Sequence, residues 1–247
     1  MNTTIQHLQH HSRVRLIQLA VAGALAAGSG LAQAQSSNLY FRVDTGYSWA
    51  QDAQLKDKTF ATTPFICADP ACAGPAALDN ISSSWIAGLG IGYRLHELFR
   101  TDLTFGWRGG YKLAAFDGRP FLYNADVSTY NLLLNGYVDV PVGVSWFKPY
   151  VGGGLGMARN QIKDISASGA AGVTTLPGHT VNDFAWQLSI GVGFQLNKSL
   201  ILDVGYRYLD SGKIESSSGL TAGALVVPYN GATGKLVTNE LQVGLRF

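Results

Sequence analysis

The chain of 247 residues carries 18 basic and 16 acidic side chains, a formal charge of +2, and only 14% charged residues against 11% aromatic ones and 30 glycines. Mean hydropathy is +0.10, and no stretch after the N-terminal segment approaches the ~20 apolar residues of a spanning helix, which excludes a multi-helix membrane protein. A transmembrane barrel stays open, because its strands alternate apolar and polar side chains and average close to neutral.

The first segment has a polar stretch with Arg13 and Arg15, an apolar run from Leu16 to about Ala27, and the small-x-small triplet Ala32-Gln33-Ala34. That order predicts a secretory signal peptide over residues 1–34, cleaved after Ala34, and one domain over residues 35–247. As a membrane anchor the apolar run would be too short. Removing Arg13 and Arg15 and no acid leaves 16 charges of each sign. The sequence pI of about 8.5 therefore does not describe the mature surface, and a nucleic-acid partner, which would want a positive field, is not expected.

From Leu39 onward a period of two organises the chain, as strands require. Leu39, Phe41, Val43, Thr45, Tyr47 and Trp49 share one face, against Tyr40, Arg42, Asp44, Gly46 and Ser48. The following stretch to about residue 84 reads as a long loop and contains Cys67-Ala-Asp-Pro-Ala-Cys72. In an oxidising compartment Cys67 and Cys72 are expected to form a disulfide. A zinc site would want four ligands, and the mature chain adds only His96 and His179.

The same alternation returns with Trp85 to Leu95, Phe99 to Trp107, Tyr130 to Val140, Val151 to Met157, Phe184 to Leu196, Leu200 to Tyr208 and Leu241 to Phe247. Each of these segments sets large apolar residues on one face against glycines, polar residues or charges on the other. The spacing predicts an all-β fold, an eight-stranded antiparallel up-and-down transmembrane β-barrel. Long connections fall near 50–84, 109–126, 159–183 and 211–236, and short ones near 96–98, 141–146 and 197–199. Long extracellular loops alternating with short periplasmic turns match that rhythm, so both chain ends are expected on the periplasmic side of an outer membrane. A soluble sandwich is the rival, but its strands run to five or six residues, whereas these approach ten. Aromatics also gather at segment ends, at Trp49, Trp85, Phe99, Trp107, Tyr130, Phe147, Phe184 and Tyr208, which suits two interfacial girdles.

Three short motifs add a family resemblance. The last strand, Leu241-Gln-Val-Gly-Leu-Arg-Phe247, ends on a Phe in the apolar register and resembles the C-terminal signal read by the bacterial barrel-assembly machinery. Lys148-Pro-Tyr-Val-Gly-Gly-Gly-Leu-Gly156 and Leu202-Asp-Val-Gly-Tyr-Arg-Tyr-Leu-Asp210 resemble the fifth and seventh strands of the OmpA-type, or opacity-type, porin-family surface proteins of Gram-negative bacteria. The resemblance implies an outer-membrane location, contact with outer-membrane lipids and lipopolysaccharide, and delivery by the barrel-assembly machinery through Phe247. The chain departs from full-length OmpA in one respect: nothing follows the last strand, so the peptidoglycan-binding domain of that protein is not expected here.

The face opposite the apolar one carries Arg42, Arg94, Arg100, Arg108, Arg207 and Arg246 with Asp44, Asp102, Asp139, Asp203 and Glu240. Six positive charges facing five negative ones in a lumen just wide enough for side chains should form a pairing network, because unpaired buried charge is costly. A selective pore is the alternative. Catalysis finds little support: His96 falls in a predicted turn, and His179 near Asp183 falls in a predicted loop. The glycines Gly152-Gly153-Gly154 and Gly156 lie within a strand, not at the strand-to-helix turn of a nucleotide site. No cofactor or metal site is expected.

The loops should carry the specificity. The second mixes Tyr111, Phe116, Phe121 and Tyr123 with Lys112 and Arg119, and the fourth is apolar from Leu220 to Tyr229. Such loops could bind host or environmental ligands or fold over the mouth. The functional expectation is a non-enzymatic barrel for envelope integrity or surface interaction. The alternative is a channel for small solutes, or one passing apolar compounds through its wall as OmpW-like barrels do. Intact-mass and N-terminal sequencing of protein extracted from outer membranes should find Gln35 as the first residue; a chain still carrying Arg13 and Arg15 would refute the cleavage site.

Overall fold

A strand with large apolar side chains on one face and glycine or polar side chains on the other can be solvated by lipid outside and packed by its own side chains inside. The computed structural model describes residues 38–53, 56–58, 80–116, 122–169, 172–222, 225–227 and 230–247. The leader and its cleavage site, Cys67, Cys72, Arg119 and Phe121 lie outside the described residues. Eight long strands form the wall: β1 (Leu39–Ala50), β2 (Ser83–Arg94), β3 (Phe99–Phe116), β4 (Leu122–Asp139), β5 (Phe147–Ile162), β6 (His179–Gln195), β7 (Ile201–Glu215) and β8 (Ala232–Arg246). Each pairs antiparallel with its sequence neighbours, and β8 pairs with β1 to close the barrel.

The stagger of that closure sets the size of the interior. Passing from partner to partner around the wall, Tyr40 leads through Gly92, Asp102, Asn135, Gly154, Gln187, Leu209 and Thr238 back to Ala50, ten residues further along β1. Strands so staggered tilt by about 35–45° to the barrel axis. The eleven residues from Leu39 to Trp49 then span about 25 Å, the height of the apolar band of such a barrel. Their outward partners across the wall include Leu89, Leu134, Leu155 and Ile190, each 58–62% exposed, a degree of exposure that an aqueous surface would penalise and lipid rewards.

Aromatic contacts mark both edges of the band. Toward the long connections, Tyr47 packs on Trp85 at 5.8 Å, Trp49 on Tyr206 at 6.4 Å, Phe105 on Tyr130 at 6.1 Å and Trp186 on Tyr208 at 5.4 Å between ring centroids. Trp107 and Phe184 face outward at the same end. Toward the short turns, Phe41 stacks on Phe247 at 6.4 Å and Phe147 packs against Trp146 and Phe194, while Phe99 is exposed beside His96. The backbone of Phe247 exchanges two hydrogen bonds with Phe41, so the terminal residue completes the seam.

The strands are longer than the alternation of apolar faces predicts. The segments expected as loops over 109–126, 159–183 and 211–236 begin and end as strand, because β3 to β8 run on beyond the membrane band. Two bulges hide this in the sequence. In β3 the register moves between Arg108 and Tyr111, with Gly110 at φ +85°, so both side chains point inward although three positions apart. In β7 it moves between Asp210 and Lys213, with Gly212 at φ +75°. Asp183 of β6 accepts the Lys213 amide hydrogen at 2.8 Å and pins that bulge.

Above the bulges the pattern inverts. Inward positions become apolar, with Tyr111, Leu113, Val127, Ile162, Ile214 and Leu236 in one buried cluster, while Lys112, Asp126, Gln161 and Lys163 face outward. That is the patterning of a barrel standing in water. Short strands extend the wall further: Ile165–Gly169 pairs with β4, Gly172–Leu176 with Ile165–Gly169, Leu220–Ala222 with Gly172–Leu176, and Leu225–Val227 with Leu220–Ala222. Because closure confines every wall hydrogen bond to the protein, unboiled samples should migrate differently from boiled ones on denaturing gels. Identical mobility of the two would contradict the closed wall.

Candidate functional site

The lumen is filled in three storeys. At mid-height Arg42 forks onto Asp44, with Nε donating to Oδ2 at 2.8 Å and Nη2 to Oδ1 at 2.7 Å, and reaches Asp102 through Nη1 at 3.0 Å. Asp102 also accepts from Asn135 Nδ2 at 2.7 Å and from the Tyr40 and Tyr137 hydroxyls. Gln187 in turn donates to Asn135 Oδ1 at 2.6 Å. β1, β3, β4 and β6 are thereby joined across the interior by polar contacts, beside the buried apolar group of Leu133, Ala158, Ala185 and Leu209.

Nearer the long connections Glu240 is fully buried between two arginines. Arg108 donates to both its oxygens and Arg207 Nε to Oε2 at 2.6 Å, while the Thr238 and Ser48 hydroxyls donate to Oε1. Tyr111 closes this storey from above by donating its hydroxyl hydrogen to Ser48 at 2.6 Å. Tyr111, expected in the second loop, lies instead within β3 and is fully buried at the floor of the apolar cluster, because the Gly110 bulge turns it inward.

Toward the short turns, Arg100 Nε meets Asp139 at 3.1 Å and Arg246 Nη2 meets Asp203 at 3.1 Å. Arg100 lies between two rings, 4.0 Å from the Tyr137 centroid and 4.6 Å from that of Tyr150, a placement that stabilises a guanidinium. Gly152 makes room for this stack, since a Cβ there would strike the Tyr137 ring. Five of the six arginines expected in the lumen thus hold a carboxylate, and all five acids are used. Arg94 has no acidic partner among the described residues. The tyrosines that seat the guanidinium groups, Tyr40, Tyr137 and Tyr150, escaped notice as site residues. The signal was present, because they share the alternation of the charges beside them.

Outside the wall, above the outer aromatic edge, a groove of about 870 Å³ crosses β3, β4, β5 and β6. Lys112, Asn124, Asp126, Gln161, Lys163 and His179 line it, with Asp126 3.6 Å from Lys112 and 3.5 Å from Lys163. His179 is exposed at the start of β6, and the carboxylate of Asp183 is occupied by the amides of Phe184 and Lys213. His179 and Asp183 stand four positions apart along one extended strand, about 13 Å, which is too far for the carboxylate to orient the imidazole.

A closed eight-strand wall, an outward apolar band and a polar lumen can now be set beside known proteins. The sequence profile of the family described as outer membrane protein beta-barrel domain matches residues 19–247. The chain belongs to this family. Members of the outer membrane protein beta-barrel domain family reside in the outer membrane of Gram-negative bacteria, which places this barrel there. A candidate adhesin of Rickettsia typhi is 30% identical over 245 residues, covering 95% of this chain and 98% of that protein. Outer membrane protein PagN of Salmonella typhimurium is 27% identical over 181 residues, covering 68% of this chain and 74% of that one. Among solved structures, OprG from Pseudomonas aeruginosa superposes with a TM-score of 0.52 at 16% identity, over 85% of this chain and 97% of that one. Neisserial surface protein A does so with a TM-score of 0.50 at 17% identity, over 85% and 96%. At such identities the two structures speak for the fold alone.

The Glu240 cluster yields a quantitative expectation for this outer-membrane barrel. Glu240→Ala leaves Arg108 and Arg207 buried without a carboxylate and should lower stability to urea in lipid vesicles by about 3–5 kcal/mol. Asp126→Ala, which breaks only exposed pairs, should cost less than about 1 kcal/mol. Equal effects of the two would contradict the burial of Glu240.

Proposed function

We propose that this barrel is a non-enzymatic surface-interaction protein, with its lumen closed and its binding surface on the extracellular crown. The observation that carries this reading is the stacking of three filled storeys in one lumen. The ion-paired floor, the Arg42–Asp44–Asp102 network and the Arg108–Glu240–Arg207 cluster lie above one another, and the apolar cluster around Tyr111 and Leu236 caps them. A path through the barrel would have to part buried ion pairs and then buried apolar contacts. The accessible chemistry is left to the groove beside Lys112 and Lys163 and to the short strands above it. The similarity to a candidate adhesin over nearly the whole chain points the same way.

Further parts of the reading follow from position. The short-turn end, with both termini, faces the periplasm, and Lys112, Arg159 and Lys163, exposed just above the outer aromatic edge, meet the anionic headgroups of lipopolysaccharide. The strand Ala232–Arg246 with Phe247 is what the barrel-assembly machinery would engage, and a wall knitted by lumen ion pairs contributes to envelope integrity. A small-solute channel is the competing reading.

Two measurements separate these readings. Bacteria displaying the barrel should attach to epithelial monolayers several-fold better than the same strain displaying a variant in which residues 165–176 and 217–230 are replaced by short turns. Equal attachment would remove the surface-interaction reading. In planar bilayers the purified protein should give no stable conductance steps, and reproducible steps would favour the channel.

A further inference from the structure

The periplasmic end of the lumen holds more positive charge than its acids neutralise. Around one level of the wall stand Arg94 of β2, Arg100 of β3, Asp139 of β4, Lys148 of β5, Asp203 of β7 and Arg246 of β8. Four cations share two carboxylates, each already engaged by a single arginine nitrogen. Register makes the crowding sharper: Arg94 lies directly opposite Arg100, and Arg246 directly opposite Arg42. Like charges so placed repel unless something negative lies between them.

The donors left over are specific. Arg100 is 1% and Arg246 2% exposed, yet Nη1 and Nη2 of Arg100 and Nε and Nη1 of Arg246 meet no protein acceptor, and neither does Nε of Arg94. Arg246 Nη2 lies beside Gly193, whose Cα partner is Lys148, and Lys148 is repelled by Arg94 and Arg246 and attracted by Asp139, the carboxylate that Arg100 already holds. Among the described residues, the one hydrogen-bond partner of the Lys148 ammonium is the neutral amide oxygen of Gln195, at 2.7 Å. Arg94 and Lys148 are half-buried at the rim, and Arg100 and Arg246 stand behind them, held in place by the Tyr137, Tyr150 and Tyr40 rings.

We propose that this ring is a binding site for a small free oxyanion of the phosphate class, entering from the periplasm and bridging Arg94, Arg100, Lys148 and Arg246. Three forked guanidinium groups and an ammonium offer the donors that a tetrahedral oxyanion uses, in a water-poor setting that strengthens each bond. Arginine and lysine rings are also how pores select anions; here the filled storeys above the ring make it a terminal site, not a passage. The proposal is independent of the crown as a binding surface.

The test is a titration of the purified full barrel with inorganic phosphate in a maltoside detergent, which contributes no phosphate, followed by phosphorus NMR and calorimetry. One saturable site per barrel is expected, with a phosphate-dependent rise in unfolding temperature. The double variant Arg94→Gln, Lys148→Gln should weaken binding by about tenfold or more, as loss of two charge-assisted donors implies, while retaining heat-modifiable migration. Lys213→Gln with Lys235→Gln, exposed on the outer wall of β7 and β8 far from the ring, should bind like the parent. Dihexanoyl phosphatidate should bind more weakly than inorganic phosphate, because acyl chains cannot follow the headgroup into the lumen. No saturable phosphate binding by the parent, equal binding by the rim variant, or tighter binding of the lipid would each overturn the proposal. Should the rim double variant fail to fold, Lys148→Gln alone decides, with unchanged affinity counting against the site.

Discussion

Everything in this protein depends on a wall that must leave no backbone group unpaired in lipid. A strand in hydrocarbon has no water to satisfy its amides, so each of the eight strands needs two neighbours and β8 must find β1. Once eight strands close with a ten-residue stagger, the diameter is set and so is the volume inside. In a barrel of this size the interior is about as wide as its own side chains, and the inward side chains are the material available to fill it. The long residues Arg42, Arg100, Arg108, Arg207 and Arg246 extend into it, and glycines such as Gly152 and Gly205 stand where tyrosines of nearby strands, Tyr137 and Tyr150, lie over the wall.

The filling obeys the economy of buried charge. Each inward acid is met by at least one guanidinium, and the most enclosed acid, Glu240, by two. Arg42, Arg100 and Arg246 in turn lie on tyrosine rings, which supply favourable contact with the flat guanidinium face while the rim of donors stays free for oxygen. This arrangement explains why the two ends of the lumen differ. The long-connection end continues into an apolar cluster and needs no further partner, whereas the short-turn end finishes in cations with donors to spare.

The lipid boundary has a physical counterpart in the strands themselves. Below the bulges at Gly110 and Gly212 the wall is apolar outside and polar inside, and above them it is polar outside and apolar inside. One continuous sheet thus solves two solvation problems, and in β3 and β7 a left-handed glycine marks the change from one to the other. A bulge suits that role because it adds one residue and resets which side chains face in. The crown is consequently rigid wall for several residues before any loop begins, which gives the groove between Lys112 and His179 a firm base.

Period-two alternation determined a good deal from sequence alone: the eight strands, their antiparallel order, the outward apolar face and the inward position of residues such as Arg42, Asp102 and Glu240. It did so because alternation is local, written in each strand independently of its partners. The strand ends over 109–126, 159–183 and 211–236 were not legible, since two bulges break the period and the solvent outside changes from lipid to water, reversing the sign of the pattern being sought. Which arginine meets which acid was likewise beyond reach. Arg108 and Glu240 are separated by most of the chain, and only the stagger of the closed wall brings them to the same height. That stagger is a property of all eight strands together, so pairing, the buried place of Tyr111 and the gathering of cations at the short-turn end were decided by the tertiary structure.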